Sequence, residues 1–342
     1  MAQETPQLAR NDERSTPPRS LASRGLVRAL LRRRELSIVL VTIAAAVYFS
    51  VGSYGTAFNT TNNYHIIMQY FAPWAIIAAG ESMLLICGEI DLSAGFTYTF
   101  VPFVLMSFYN QGLDVPLSLV LAILVAMGIG LVNGLIRSVF NLSSFITTLG
   151  MGFFLEGMTY IQSNAEPTPP PITGGLADFL GGWRWSELVW ALLIVVIMQV
   201  ALSYTKYGVY AQAAGGNPLS AAESGIRVNV VKVSSFVLTS LFAGLAGIVD
   251  QVRVGSFDPT SGGSEMMFMA VASAVIGGTA LLGGSGTVIG ALFGALLLAI
   301  IQNGFTLSGV NAYAFDVVIG VAVVAAMLLN VYISGLRRRY LR

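Results

Sequence analysis

From Val233 to Val249, and again from Val317 to Val331, the chain carries no charged residue, and apolar side chains dominate both runs. Crossing a hydrocarbon core of about 30 Å takes roughly 20 residues of predominantly apolar helix. Runs of this kind commit a chain to membrane spans, because a water-facing fold would leave them uncovered. Composition agrees, with 55% of the 342 residues hydrophobic and 10% charged. The fold class predicted is therefore all-α and polytopic.

Hydropathy, broken by polar or Gly/Pro-rich stretches, gives about ten spans. The first five are placed at Ser37–Ser53, Ile66–Gly88, Ala94–Asn110, Pro116–Arg137 and Ser144–Gln162; the second five at Glu187–Tyr204, Lys232–Arg253, Met266–Leu282, Thr287–Leu307 and Tyr313–Ser334. They form one transmembrane domain, residues 37–336, between a polar, Arg- and Pro-rich N-terminal tail (1–36), read as disordered, and a short basic tail (337–342). The first apolar run follows a long charged leader and reads as an uncleaved span rather than a signal peptide.

Loop charge orients this domain. With the N-terminus inside, the inner side receives Arg10 to Arg34, Arg137, Lys206, Arg227, Lys232 and the C-terminal arginines, sixteen of the eighteen Lys and Arg; Arg184 and Arg253 fall outside. Cytoplasmic loops carry such an excess, so both termini are expected in the cytoplasm and the polypeptide in the plasma membrane, taken as a bacterial inner membrane. Asn164–Ser186, with "EPTPPPITGG" and "GGWRW", becomes an outer loop and Thr205–Val231 the longest inner one.

Several chemistries are excluded. A net charge of +1 gives no field for nucleic acid, and one cysteine (Cys87) with one histidine (His65) leaves no multi-Cys or two-His metal site. Neither lysine, Lys206 or Lys232, stands in a G-K-[ST] phosphate loop. No cofactor is expected on this chain, and any ATP must be bound by a partner.

Polar residues inside the apolar runs carry the remaining information. "GEIDLSAG", Gly88 to Gly95, places Glu89 and Asp91 between apolar segments. If Ala94 opens a helix, Asp91 or Ser93 caps its free N–H groups; alternatively Glu89 or Asp91 stands in a substrate path or pairs with an inner-side Arg, since intramembrane acids face cavities or partners. "GGTALLGGSG", Gly277 to Gly286, is too glycine-dense for regular helix and marks a break. Gly130 and Gly134, and Gly286, Gly290 and Gly294, repeat every four residues, which suits close helix packing and also sliding faces. In the inner loop Gly215–Pro218 signals a turn, followed by a short helix Leu219–Glu223 stopped by Gly225; it reads equally as a plain connector or as a low-relief docking face.

The stretches "GEIDLSAG", "GLVNGLI", "SSFITTLG", "AAGGNPLSAAESGIRVNVVK" and "VIGGTALLGGSGTVIGALFGALLLAIIQNG", in this order between about Tyr64 and Val331, resemble the permease subunits of ribose/xylose-type ATP-binding-cassette sugar importers. Glu89 stands where that family often has Gly. The resemblance implies a non-catalytic permease that pairs with a second permease copy, as homodimer or heterodimer. It also implies a cytoplasmic ABC ATPase, docked through Gly216, Asn217, Ala221, Ala222, Ser224 and Gly225, and an extracytoplasmic solute-binding protein that delivers a monosaccharide or related polyol. For such a cargo the candidate pathway residues are Glu89, Asp91, Asn133, Phe145, Thr148 and Asn303, which offer amides, hydroxyls, carboxylates and an aromatic face. Two other readings stay open: a branched-chain amino-acid permease of the same superfamily, and an ion-coupled carrier using Glu81, Glu89, Asp91 or Asp250.

Overall fold

The computed structural model describes residues 34–52, 55–311, 313–325 and 328. The predicted N-terminal tail up to residue 33, the C-terminal tail and most of the last span beyond Ala325 lie outside the described residues. Of the described residues 80% are helical, and none lies in a strand. Its principal helices are α1 (Arg34–Val51), α2 (Thr61–Ile86), α3 (Ala94–Asn110), α4 (Val115–Phe140), α5 (Ser144–Ser163), α6 (Ser186–Tyr204), α7 (Lys206–Gly216), α8 (Pro218–Glu223), α9 (Val228–Val254), α10 (Gly263–Ile276), α11 (Val288–Leu307) and α12 (Tyr313–Ala325).

Local chemistry sets many of these boundaries. Thr60, Asp114, Asn217 and Thr287 cap α2, α4, α8 and α11, each side chain accepting an N–H from the first turn. Asn141 and Asn164 close α4 and α5 in the left-handed conformation, and Gly255 (φ 76°) closes α9.

Helices α2 and α9 form the centre. From Phe71 to Ile86 every residue of α2 is buried, and α9 packs on α2, α3 and α4 while α2 also meets α6, α10 and α11. Glycines permit the closest crossings. A Cβ at Gly130 would lie 2.4 Å from the Phe236 carbonyl oxygen, and one at Gly80 would lie 2.7 Å from Thr239 Cα. The outer helices keep an apolar face uncovered: Leu124, Val139, Phe153 and Ile161 are 54–72% exposed. Helices α4, α6, α9 and α11 are each long and apolar enough to cross a membrane, and the molecule is a multi-pass membrane protein.

Most predicted spans coincide with helices, Ala94–Asn110 residue for residue. Three expectations need correction. The span placed at Met266–Leu282 is the shorter helix α10, which stops at Ile276 because Gly277 and Gly278 follow. Gly286 precedes α11, so only Gly290 and Gly294 lie on a helix face, meeting the Gly277 and Ser273 carbonyls of α10's end. The inner loop contains a second helix, α7, ahead of the expected short one, and the turn falls at Asn217 rather than across Gly215 and Gly216.

Candidate functional site

Between α2 and α3 the chain abandons helical geometry deep in the protein. Gly88 adopts φ 77°, and residues 89–91 run on without regular structure to a turn at 92–93. Unravelled backbone is tolerated in such a place only if neighbours satisfy it. Here α5 supplies them: the Leu92 N–H donates to Thr148 Oγ1 (2.9 Å) and the Ile90 N–H to Ser144 Oγ (3.4 Å). Asp91, fully buried, accepts the Ser93 N–H (2.8 Å) and hydroxyl (2.5 Å) on Oδ1 and the Ser240 hydroxyl on Oδ2 (3.4 Å). Asn133 of α4 donates to Ser93 Oγ at 2.9 Å. The capping expectation is thus modified, because Asp91 fixes Ser93 at the N-cap position while no side chain caps α3 itself.

Glu89 meets the same two helices, α4 and α9, further along them. Its Oε1 lies 2.6 Å from Lys232 Nζ and 2.7 Å from Arg137 Nε, with side-chain exposures of 5%, 6% and 19% in that order. One anion and two cations are brought together from the break, α9 and α4. A buried pair of this kind contributes little net stability, but breaking it strands a charge.

Beside the break three glycine-bearing segments meet through their backbones. The Gly284 N–H donates to the Ile86 carbonyl at 2.8 Å. A Cβ at Gly215, near the end of α7, would lie 1.8 Å from that same Ile86 oxygen and 2.7 Å from Gly284 N; one at Gly283 would lie 2.9 Å from Gly88 Cα. Gly283 and Gly284 have φ of 85° and 77°, a region that suits glycine. The α7–α8 element therefore touches both irregular segments directly.

On α8 the predicted docking residues divide. Gly216, Asn217, Ala222, Ser224 and Gly225 are exposed, whereas Ala221 is buried at 5%. The most prominent apolar side chain there is Leu219, 71% exposed, which sequence reasoning passed over although it is the sole large apolar residue of that helix.

Of the predicted pathway residues, Glu89, Asp91, Asn133 and Thr148 converge on the break. Phe145 sits 53% exposed on the outer face of α5. Asn303 is elsewhere: it exchanges reciprocal amide bonds with Asn63 (2.8 and 2.9 Å), tying α11 to α2. Glu81 is fully buried, and neither carboxyl oxygen has a hydrogen-bond partner among the described residues. Lys232 and Ser240 were not read as site residues; a lysine opening an apolar run was the available signal for the first, and none existed for the second.

The chain also resembles characterised families. A family described as branched-chain amino acid transport system / permease component matches residues 63–327. The chain belongs to this permease family. Similar members include the xylose/arabinose import permease protein XylH of Sulfolobus acidocaldarius, 37% identical over 89% of this chain and 86% of that protein. The ribose import permease protein RbsC of Escherichia coli is 33% identical, covering 88% of this chain and 94% of its own length. The D-allose transport system permease protein AlsC of the same species is 30% identical over 86% and 90%. No solved structure matches. As a permease component the protein is not an enzyme, and the broken helix with its glycine junction is where the irregular segments and the α7–α8 element meet.

Proposed function

We propose that this permease moves a monosaccharide or related polyol inward as the membrane subunit of an ATP-driven importer. The observation that carries the reading is the backbone contact of the α7–α8 element with the broken helix, where Gly215 abuts Ile86 and Gly284. Displacement of α7–α8 by an ATPase on the cytoplasmic side has no compressible side chain to absorb it before it reaches the break. The sugar class is supported by relatives named for xylose/arabinose, ribose and allose.

Charge supports the wider arrangement of about ten spans with both tails in the cytoplasm, since sixteen of eighteen Lys and Arg then lie inside. The exposed face of α8 is the ATPase dock, and the exposed apolar faces of α4 and α5 leave room for a second permease copy as well as lipid. A binding protein delivers substrate from outside, and ATP stays with the partner. The ion-coupled alternative loses Glu89, whose charge is matched by Lys232 and Arg137.

The test is affinity purification of the tagged permease in mild detergent with identification of what accompanies it, joined to uptake measurements in its host. A co-purified ATPase and sugar uptake that follows ATP support the reading. Uptake that collapses with an ionophore while ATP is maintained, with no ATPase bound, overturns it.

A further inference from the structure

At the end of α2 and α9 opposite the glycine junction lies a cavity of about 320 Å³, set between α2, α9 and α10. That volume is near the lower end of the range for small-molecule sites. One wall is aromatic: Tyr70, half-buried, stacks on the buried Trp74 one helical turn on, with centroids 5.9 Å apart and planes at 29°. The rest of the lining mixes apolar Ile66 and Met266 with polar groups: Gln69 on α2, Asp250 and Arg253 on α9, and Glu265 on α10.

These polar groups are pre-positioned. Asp250 and Glu187 clamp Arg253 through its Nε (2.9 Å to Glu187) and Nη2 (2.5 Å to Asp250), which orients a guanidinium whose five N–H donors are not exhausted by these bonds. Tyr98 donates to the other oxygen of Asp250. Glu265 is exposed and makes no ion pair with a described residue. Pro73, also in the lining, has no N–H, so the Gln69 carbonyl lacks its usual i+4 helical donor.

An aromatic face beside oriented planar donors and acceptors matches a pyranose or furanose, whose ring presents C–H groups on one face and hydroxyls around its edge. We propose that this cavity is a saccharide-binding subsite on the outward side, with the ring resting against Tyr70, which the buried Trp74 backs, and the hydroxyls bonded by Arg253, Gln69 and Glu265. This rests on the sugar-importer reading and adds to it a place within one permease copy where the cargo pauses.

Binding of tritiated D-xylose, L-arabinose, D-ribose and D-allose to the purified full-length permease, read by scintillation proximity, tests it. Saturable binding of at least one sugar is expected, weakened about fivefold or more in both Gln69→Leu and Glu265→Gln, the order that one lost hydrogen bond gives. Glu265 is exposed, so its variant keeps the fold, and an unchanged thermal midpoint verifies this for both. Equal affinity in wild type and both variants overturns the subsite. So does absence of binding while the host imports one of these sugars through the permease, a result that leaves the importer reading intact. If the host imports none of the four through this protein, the sugar reading falls and the subsite falls with it.

Discussion

At the residue scale, the charges around Glu89 do not balance pairwise. Glu89→Gln leaves Lys232 and Arg137 facing each other without an anion, whereas Lys232→Met leaves the Glu89–Arg137 pair neutral. We predict that Glu89→Gln destabilises the permease by about 3–5 kcal/mol and that Lys232→Met destabilises it clearly less; thermal unfolding in detergent with the two variants side by side checks the order, and equal losses would refute the triad. Adjacent glycines give a second contrast. Gly215→Ala pushes a methyl into the Ile86 carbonyl, while Gly216→Ala meets nothing closer than Gly284 Cα at 3.7 Å. Uptake should fall about tenfold or more in the first and stay within about twofold in the second. The sequence marked Glu89 and Asp91 as out of place and offered an inner-side Arg as partner, which Arg137 proves to be. It did not mark Lys232, which lies 143 positions from Glu89; such proximity is created by packing and leaves no local trace.

At the scale of elements, apolar runs bounded by caps and glycines made the long helices legible, and α3 needed no revision. The exceptions have physical causes. Helix α7, "KYGVYAQAAGG", mixes small and polar residues with no apolar period, so nothing in it resembles a span or an amphipathic stripe. Helix α10 ends early because its apolar run continues into residues whose backbone is positive in φ at Gly278, Gly283 and Gly284. The exposed face of α8 leads to a test of the dock. Ala222→Arg adds bulk and charge there, and Leu219→Asp removes the apolar projection. Each should cut ATPase co-purification about tenfold or more, as loss of a central interface residue does, with membrane insertion unchanged. Undiminished co-purification in both would remove α8 as the docking element.

For the whole molecule, the two ends of the bundle are chemically distinct. One holds the break, the glycine junction and α7–α8. The other holds the Arg253 cluster, the aromatic cavity and the 164–186 segment, which is pinned by the Thr168–Phe257 bridge and by His65 Nε2 against the Arg184 carbonyl at 2.7 Å. Topology is testable because the native cysteine, Cys87, is buried. A membrane-impermeant maleimide added to intact cells should label Glu166→Cys and should reach Ser224→Cys only after the membrane is opened; the reverse pattern would invert the orientation. Loop charge predicts this orientation and the labelling tests it, whereas the cavity was invisible, since Gln69, Tyr70 and Trp74 read as ordinary members of an apolar helix until α9 and α10 close over them.

The reciprocal Asn63–Asn303 bond and the glycine junction lie toward opposite ends of α2. The amide pair is a two-point latch, and a helix held that way can swivel far less than it can flex. The junction has peptide planes as its bearing surfaces, with no rotamers to take up slack. On the importer reading, helix α2 would serve as a lever with the amide pair as its pivot and the glycine junction as its drive point, so a stroke at α7–α8 would reach the break without slack.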